Sequence, residues 1–224
     1  EREIALTIES KDKGINIDPD LISTGISDMD YWMNGGLNPS DLIIIAGRPG
    51  MGKSAIVTNL LVNVAKQDRT VGLISLEMPN KQISQRIISS ETAISLSGVK
   101  SRIIPSEKFD NYLNTSENIS KLPIFIDDKG SINTAQIKAK ARKLKSTSMR
   151  KNIDGHSQPL GLLVIDYLQL IDFDSDNEVQ ALAKITRDLK KLALELNIPI
   201  ILLSQLSRDV EKRANKRPQL SDLR

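Results

Sequence analysis

Eight consecutive residues give the clearest chemical signal in this chain. Residues 47–54 read GRPGMGKS, which matches the spacing GxxxxGK(S/T). Glycine lets a backbone fold into a concave loop whose N–H groups point at phosphate oxygens. In such a loop Lys53 would reach the β- and γ-phosphates of a nucleoside triphosphate, and Ser54 would place its hydroxyl on Mg²⁺. The predicted phosphate-binding residues are Gly47, Arg48, Pro49, Gly50, Met51, Gly52, Lys53 and Ser54.

The surroundings of this loop also suit phosphate chemistry. It follows the apolar run LIIIA at 42–46 and precedes an amphipathic stretch that starts at Lys53. A loop between a buried strand and a helix brings the phosphate to the helix N-terminus, whose partial positive charge favours an anion. We therefore predict a site for ATP and Mg²⁺ rather than a glycine-rich turn without a ligand.

Hydrolysis of a triphosphate also needs an acid that holds the metal and its water shell, and Asp166 is suitably placed. It ends the apolar run LLVID at 162–166. An acid at the carboxyl end of a strand is the expected partner of such a loop. Asp166 is therefore the second predicted metal residue, with Ser54.

Two further polar residues follow apolar runs, and each has a structural alternative. Glu77 follows the run 71–76, so it could act as the base for the attacking water; it could equally be an exposed acid that caps the next helix. Gln205 ends the last run and could bond to the γ-phosphate, or it could simply be the first residue of a loop. The predicted catalytic residues are Lys53, Glu77 and Gln205.

The candidate residues need a sheet to position them, and the hydrophobic pattern predicts one. Runs of consecutive apolar residues rich in Ile and Val are typical of strands buried on both faces. Their alternation with amphipathic helical stretches predicts an α/β fold with a mostly parallel central sheet flanked by helices. The predicted strands are 42–46, 71–76, 123–126, 162–166 and 198–204, and the predicted helices are 53–66, 80–96, 134–145 and 178–196.

Composition excludes several other kinds of site. The 224 residues include no Cys and one His, His156, so a disulfide framework, a thiolate zinc site and a Ser-His-Asp triad are not expected. Three Phe, three Tyr and one Trp are too few for a base-stacking sheet. The apolar runs are shorter than the roughly 20 residues of a membrane span, and the first residues lack signal-peptide features. We expect a cytoplasmic protein without a membrane partner.

Two segments are assigned from charge and composition. Residues 1–20 are charged and contain helix breakers, so we expect a linker arm there and one large domain over 21–224. Residues 138–151 carry seven basic side chains and no acid. This basic run is either a solvated helix face or a phosphate-contacting surface, and the sequence favours neither.

Four segments together resemble the RecA-like motor domain of DnaB-type replicative DNA helicases. They are STGISDMDYWMNGGLNPSDLIIIAGRPGMGKS at 23–54, SLEM at 75–78, VIDYLQL at 164–170 and LSQLSRDVEKRANKRPQLSDLR at 203–224. A phosphate-binding loop alone marks a very large superfamily, whereas these segments in this order are specific. The resemblance covers residues 21–224.

The resemblance implies a RecA-like P-loop ATPase fold. It further implies an ATP-dependent replicative helicase that translocates 5′ to 3′ on single-stranded DNA and unwinds duplex at the replication fork. Lys53 and Ser54 match the phosphate and Mg²⁺ residues, Glu77 the catalytic base, Asp166 the Walker B acid, Gln205 the γ-phosphate sensor and Arg224 a DNA contact. The implied partners are single-stranded DNA, copies of the chain in a ring homo-hexamer, and a primase and a helicase loader reached through other parts of the protein.

One departure from the family leaves two alternatives open. The sequence ends at Arg224, where family members continue through a DNA loop to an arginine finger, so we expect the motor domain to be incomplete at its C-terminus. One alternative is a recombination or repair ATPase of the RecA group, which should lack IDYLQL and KRPQLSDLR. The other is a helicase-like module that binds nucleotide and partners without turnover.

Overall fold

Strands and helices alternate along the chain as the hydrophobic pattern predicts. The computed structural model describes residues 20–149, 158–173 and 178–206, together with Arg213 and Arg217. Within these residues the strands are β1 Leu42–Gly47, β2 Thr70–Ser75, β3 Ile124–Asp127, β4 Ile132–Asn133, β5 Leu160–Asp166, β6 Ile171–Asp172 and β7 Ile200–Gln205. The helices are α1 Ser27–Trp32, α2 Lys53–Ala65, α3 Asn80–Thr92, α4 Leu96–Ser101, α5 Phe109–Ser120, α6 Thr134–Ser148 and α7 Glu178–Leu196, with short 3₁₀ turns at Ser106–Lys108 and Leu168–Leu170.

Five of these strands form one parallel sheet in the order β1-β7-β5-β2-β3. The predicted mostly parallel sheet is therefore confirmed. Gly47 pairs with Gln205 at the end of β1 and β7, and Ser75 pairs with Asp166 at the end of β2 and β5. Because parallel strands end at the same edge of a sheet, the register places four functional segments side by side.

Both faces of the sheet are covered, which explains its continuous apolar runs. On one face Leu163, Ile165 and Leu202 pack with the buried side of α7, including Leu189. On the other face Leu162, Val164 and Leu203 pack with α2 and α3. Truncation of such fully buried leucines to Ala costs about 2–5 kcal/mol in typical cores.

Several element boundaries differ from the prediction for identifiable reasons. The helix predicted over 80–96 ends at Thr92, since Ala93 adopts a left-handed conformation at φ 51° and Ser95 caps α4 by accepting from the Gly98 N–H. Helix α5 was not predicted, and it has no buried residue. The pair β4 and β6 was also missed, since two-residue strands leave no periodic signal.

The segment before β1 is tied to the C-terminal half of α2. Ile22 and Leu37 form an isolated antiparallel bridge. Asp30 accepts from the Ser23 hydroxyl at 2.6 Å, the Thr24 N–H at 2.8 Å and the Thr24 hydroxyl at 2.6 Å. Asn63 on α2 donates to the Thr24 carbonyl. The predicted linker arm lies outside the described residues except for Asp20.

We expect Asp30→Ala to lower the free energy of unfolding by about 1–3 kcal/mol, because the buried Thr24 loses its acceptor. Urea unfolding of the purified chain measures the change. Asp28→Ala is the matched control, since Asp28 is an exposed acid on the same helix. Equal losses of unfolding free energy in the two variants would show that the Asp30 hydrogen bonds contribute no more than any acid on helix α1.

Candidate functional site

Four predicted residues from four different elements line one cleft at the carboxyl edge of the sheet. The cleft has a volume of about 280 Å³. Its lining residues are Pro49, Gly50, Gly52, Lys53, Ser54, Ala55, Glu77, Met78, Arg86, Asp166, Tyr167 and Gln205. The structure thus brings together Lys53, Glu77, Asp166 and Gln205, with Ser54 beside them, while their chemical roles stay predictions.

The loop after β1 has the backbone that a phosphate-binding loop requires. Gly50 and Gly52 have φ of 76° and 87°, a left-handed region that disfavours other residues. A Cβ at either position would meet nothing within 4 Å, so the constraint is the backbone angle and not space. Helix α2 begins directly after Gly52 without a side-chain cap. The first turn of α2 therefore lies at the cleft, which Lys53, Ser54 and Ala55 line, and no side chain caps it, as at other anion sites.

Lys53 is held against the loop by backbone carbonyls. Its Nζ donates to the Gly47 carbonyl at 2.6 Å and to the Arg48 carbonyl at 3.1 Å. Gly47 makes room for the lysine stem, because a Cβ there would lie 3.2 Å from the Lys53 Cγ. An ammonium has three donors, so one remains for a phosphate oxygen.

Asp166 carries an electrostatic cost that a cation would relieve. It is 5% exposed at the end of β5. Burial and the nearby charge of Glu77 raise the pKa of Asp166 to about 6, and Lys53 opposes them. Burial and the same two carboxylates also raise the pKa of Tyr167. Within the described residues Asp166 forms no ion pair, so its carboxylate is available to a bound metal.

The donor set fits a magnesium ion that is held largely by the phosphates of a nucleotide. The Ser54 hydroxyl and the Asp166 carboxylate are oxygen donors, which Mg²⁺ prefers. Among the described residues no group of three or more His, Cys, Asp and Glu forms a metal cage. Nucleotide sites commonly use one or two protein ligands and complete the shell with phosphate and water.

Glu77 lies at the cleft and does not cap the following helix. Helix α3 has Pro79 at its N-cap without a side-chain bond, and the Asn80 N–H donates instead to Asp128 at 2.8 Å. The turn that carries Glu77 is fixed by the buried Ser75, whose hydroxyl donates to the Met78 carbonyl at 2.7 Å. The structure therefore disfavours the capping alternative and leaves the carboxylate of Glu77 facing the cleft.

Gln205 is the last residue of β7 rather than the first residue of a loop. Its backbone pairs with Gly47 on one side, and its half-buried side chain lines the cleft. The pairing of β1 with β7 thus fixes the backbone position of Gln205 relative to the phosphate-binding loop.

Arg86 is a cleft residue that the sequence did not reveal. It lies on α3 between the buried Ile83 and Ile87, at the border of the buried face. It forms no ion pair within the described part of the chain. A guanidinium that lines an anion site without a carboxylate partner is a candidate phosphate contact. The sequence shows only that Arg86 stands between Ile83 and Ile87 in the predicted helix after Glu77.

The described part of the basic run is largely engaged in contacts within the chain. On α6 Lys138 pairs with Asp188 at 3.1 Å, Lys140 with Asp127 at 2.6 Å and Arg142 with Glu195 at 2.7 Å, while Lys145 donates to the Leu196 carbonyl. These contacts favour the structural alternative over a phosphate-contacting surface. Arg150, Lys151 and the predicted DNA contact Arg224 lie outside the described residues. No described helix is long and apolar enough to cross a membrane.

A family model for the DnaB-like helicase C terminal domain matches residues 22–224. The chain belongs to this family. The resemblance drawn from the sequence motifs is thereby confirmed.

Relatives of this DnaB-like domain are named as replicative DNA helicases. The replicative DNA helicase DnaB of Synechocystis sp. is 45% identical over 204 residues, which are 91% of this chain and 22% of that protein. The DnaB of Nostoc sp. is 44% identical over 218 residues, covering 97% of this chain and 24% of that protein. The DnaB of Rickettsia conorii is 42% identical over 216 residues, covering 91% of this chain and 42% of that protein. This chain spans less than half the length of each of these relatives.

Solved structures share the fold of this DnaB-like domain. A DnaB-like replicative helicase, described with its interactions with primase, has a TM-score of 0.82 and 32% identity; the match covers 99% of this chain and 52% of that one. A second solved structure, described as an ATPase domain, has a TM-score of 0.83 and 32% identity, covering 100% of this chain and 77% of that one. The expected RecA-like ATPase fold is confirmed.

The raised pKa of Asp166 predicts how Asp166→Asn changes stability with pH. The carboxyl proton of Asp166 is bound more tightly in the native state than in the unfolded chain, where the pKa of this residue is 3.8. Ionised Asp166 therefore destabilises the native state above about pH 6. Without nucleotide or metal, we expect Asp166→Asn to raise the free energy of unfolding at pH 8 by up to about 3 kcal/mol, since each pKa unit corresponds to about 1.4 kcal/mol. The gain should shrink as pH falls from 6 to 4.

Urea unfolding at several pH values measures this effect. Asp110→Asn, a change at an exposed acid on α5, is the control and should show no such pH-dependent gain. A gain for Asp166→Asn that is equal at pH 8 and pH 4.5 would contradict a titrating Asp166.

We expect Arg86→Gln to weaken binding of ADP and ATP by about 10- to 100-fold, the range for a lost hydrogen bond to a charged group. Fluorescence titration with a labelled nucleotide measures the affinity. Lys81→Gln removes the same charge from an exposed position on the same helix and should have little effect. Equal losses in both variants would mean that Arg86 acts only through net charge.

Proposed function

We propose that this chain is the motor domain of an ATP-dependent replicative DNA helicase. It hydrolyses ATP to move 5′ to 3′ along single-stranded DNA and to unwind duplex at the replication fork. The observation that carries the proposal is the single cleft that collects Lys53, Glu77, Asp166 and Gln205 at the carboxyl edge of the sheet. In this proposal residues 21–224 form the motor domain and residues 1–20 a linker arm.

The hydrolytic step uses each cleft residue in one role. Water attacks the γ-phosphorus in line with the leaving ADP oxygen; an O–P bond forms, the bond to the β-phosphate oxygen breaks, and Glu77 takes the water proton. Lys53 and the start of α2 stabilise the charge on the β- and γ-phosphates. Ser54 and Asp166 would hold Mg²⁺, which neutralises phosphate charge. Gln205 bonds to the γ-phosphate and so reports its loss.

The partners follow from the family and belong to the whole protein. A ring of six copies would place each ATP between neighbouring subunits, and Arg224 would contact the phosphates of single-stranded DNA in the channel. A related DnaB-like helicase is described with its interactions with primase, and we propose a primase and a loader as partners of regions beyond this domain. The site of action is the cytoplasm.

Two observations favour this function over its alternatives. A nucleotide-binding module without turnover needs no base, whereas Glu77 lines the cleft and has no role in capping α3. A recombination or repair ATPase of the RecA group would share the phosphate loop, but the family match and the named relatives are those of replicative helicases.

Steady-state ATP hydrolysis tests the proposal, measured against protein concentration with and without single-stranded DNA in the full-length protein. We expect Lys53→Ala to abolish nucleotide binding or turnover, because it removes the cation that meets the phosphates. We expect Glu77→Gln to keep nucleotide affinity but slow hydrolysis by about 10²- to 10⁴-fold, since shape is kept and basicity is lost.

Glu107→Gln, a change at an exposed acid far along the chain from the cleft residues, serves as the control. Unchanged hydrolysis in Lys53→Ala would contradict the site itself. An equal loss of affinity in Glu77→Gln would assign Glu77 a structural role. Turnover that ignores both protein concentration and DNA would favour an ATPase other than a ring helicase.

A further inference from the structure

Gln169 follows Asp166 and Tyr167 in the 3₁₀ turn Leu168–Leu170. Its side chain is half-buried and does not line the cleft. The turn is already closed by a bond from the Leu170 N–H to the Tyr167 carbonyl, and Leu168 anchors it in the core. The amide of Gln169 is therefore not needed to form its own turn.

The amide instead makes three hydrogen bonds to the end of β7. Its Nε2 donates to the Gln205 carbonyl at 3.1 Å and to the Ser204 hydroxyl at 3.1 Å. Its Oε1 accepts from the Gln205 N–H at 3.2 Å. Donor and acceptor of one side chain thus bind the N–H and carbonyl of one residue, as a neighbouring strand would.

These bonds take over where the strand ladder stops. Strands β5 and β7 pair from Leu163 with Ile200 to Ile165 with Leu202, and the pairing ends three residues before Gln205. On its other side Gln205 pairs with Gly47 of β1. Without Gln169 the backbone of Gln205 would be held on the β1 side only.

We propose that Gln169 is a positioning residue that fixes the Gln205 side chain in the cleft, and so sets how strongly the site prefers a triphosphate to a diphosphate. The inference rests on the proposed function, in which Gln205 contacts the γ-phosphate. ADP lacks that phosphate, so Gln169 affects the affinity for ATP and not the affinity for ADP.

The first test replaces Gln169 with Met, which has similar size but cannot form these bonds. Affinities for ADP and for a non-hydrolysable ATP analogue are measured by fluorescence titration in the full-length protein. We expect the preference for the analogue over ADP to fall on the order of tenfold, the effect of one lost bond to a charged group, while ADP affinity is kept. The hydrolysis rate should fall more than KM changes.

The matched control is Gln67→Met. The Gln67 amide donates to the Ser23 and Asn63 carbonyls beyond the end of α2, away from the cleft. Gln67→Met therefore removes amide hydrogen bonds of the same kind without changing a residue of the nucleotide site. We expect an unchanged preference between analogue and ADP, so that any general loss of stability is separated from positioning.

The second test is Gln169→Glu, which keeps the shape but replaces the NH₂ donor with a charged carboxylate oxygen. A carboxylate can still accept from the Gln205 N–H but cannot donate to its carbonyl, whereas the protonated acid regains one donor. We expect a reduced preference for the analogue at pH 8, where the introduced acid is ionised. Wild-type protein measured under the same conditions is the reference.

The outcomes separate this inference from the function on which it rests. If wild-type protein binds neither nucleotide, the proposed function fails. If wild-type protein prefers the analogue and both Gln169 variants show the same preference, the positioning role is overturned. If Gln169→Met does not fold, an undiminished preference in Gln169→Glu at pH 8 overturns it alone.

Discussion

The candidate site depends above all on the register of the parallel sheet. Gly47, Asp166 and Gln205 each end a strand, and Glu77 follows the end of β2 by two residues. Their side chains meet only because β1, β7, β5 and β2 are neighbours in the same direction. Successive side chains of a strand point to opposite faces, so a slip of one residue in β7 would move Gln205 away from the cleft. The same slip would turn Leu202 and Leu203 out of the cores in which they are packed. The two apolar cores that flank the sheet resist such a slip, and in this way ordinary packing determines the geometry of the polar site.

The same arrangement places an electrostatic cost in the cleft. Asp166 lies buried near Glu77, and the raised pKa of Asp166 measures the cost of keeping it charged. Lys53 reduces that cost without forming an ion pair, because its ammonium is bound to the carbonyls of Gly47 and Arg48. Arg86 and the uncapped start of α2 supply positive potential at the same cleft. A ligand that brings both a divalent cation and phosphate groups satisfies both kinds of charge together, whereas either one alone satisfies only the groups of opposite charge. The buried charge at Asp166 thus lowers the stability of the folded chain, and binding of such a ligand restores it.

Sequence reasoning found the parts of the site that are encoded locally. The glycines and Lys53 of the phosphate loop have fixed spacing, and Asp166 ends an unmistakable apolar run, so both could be placed before the fold was known. Arg86, Asp128 and Gln169 could not, because their functional neighbours are distant in sequence and no periodic pattern marks them. Asp128 illustrates the reason: it follows β3 and accepts from the Asn80 N–H at the start of the helix after Glu77, a contact that only the sheet order creates. The basic run on α6 was ambiguous for the same reason, since its acidic partners Asp127, Asp188 and Glu195 lie on other elements.

The phosphate loop and the end of β7 are joined through a single carbonyl. The Gly47 oxygen accepts from the Lys53 ammonium at 2.6 Å and also from the Leu206 N–H at 3.2 Å. A carbonyl has two lone pairs, so both donors are satisfied at once. The third donor of Lys53 is left for a phosphate oxygen, so the bond to the Gly47 oxygen is kept when a phosphate binds. Gln205 lies directly before Leu206 and is held on its opposite edge by Gln169. The Gly47 oxygen thus binds both the cation of the phosphate loop and the residue after Gln205, which gives these two parts of the site a direct physical connection.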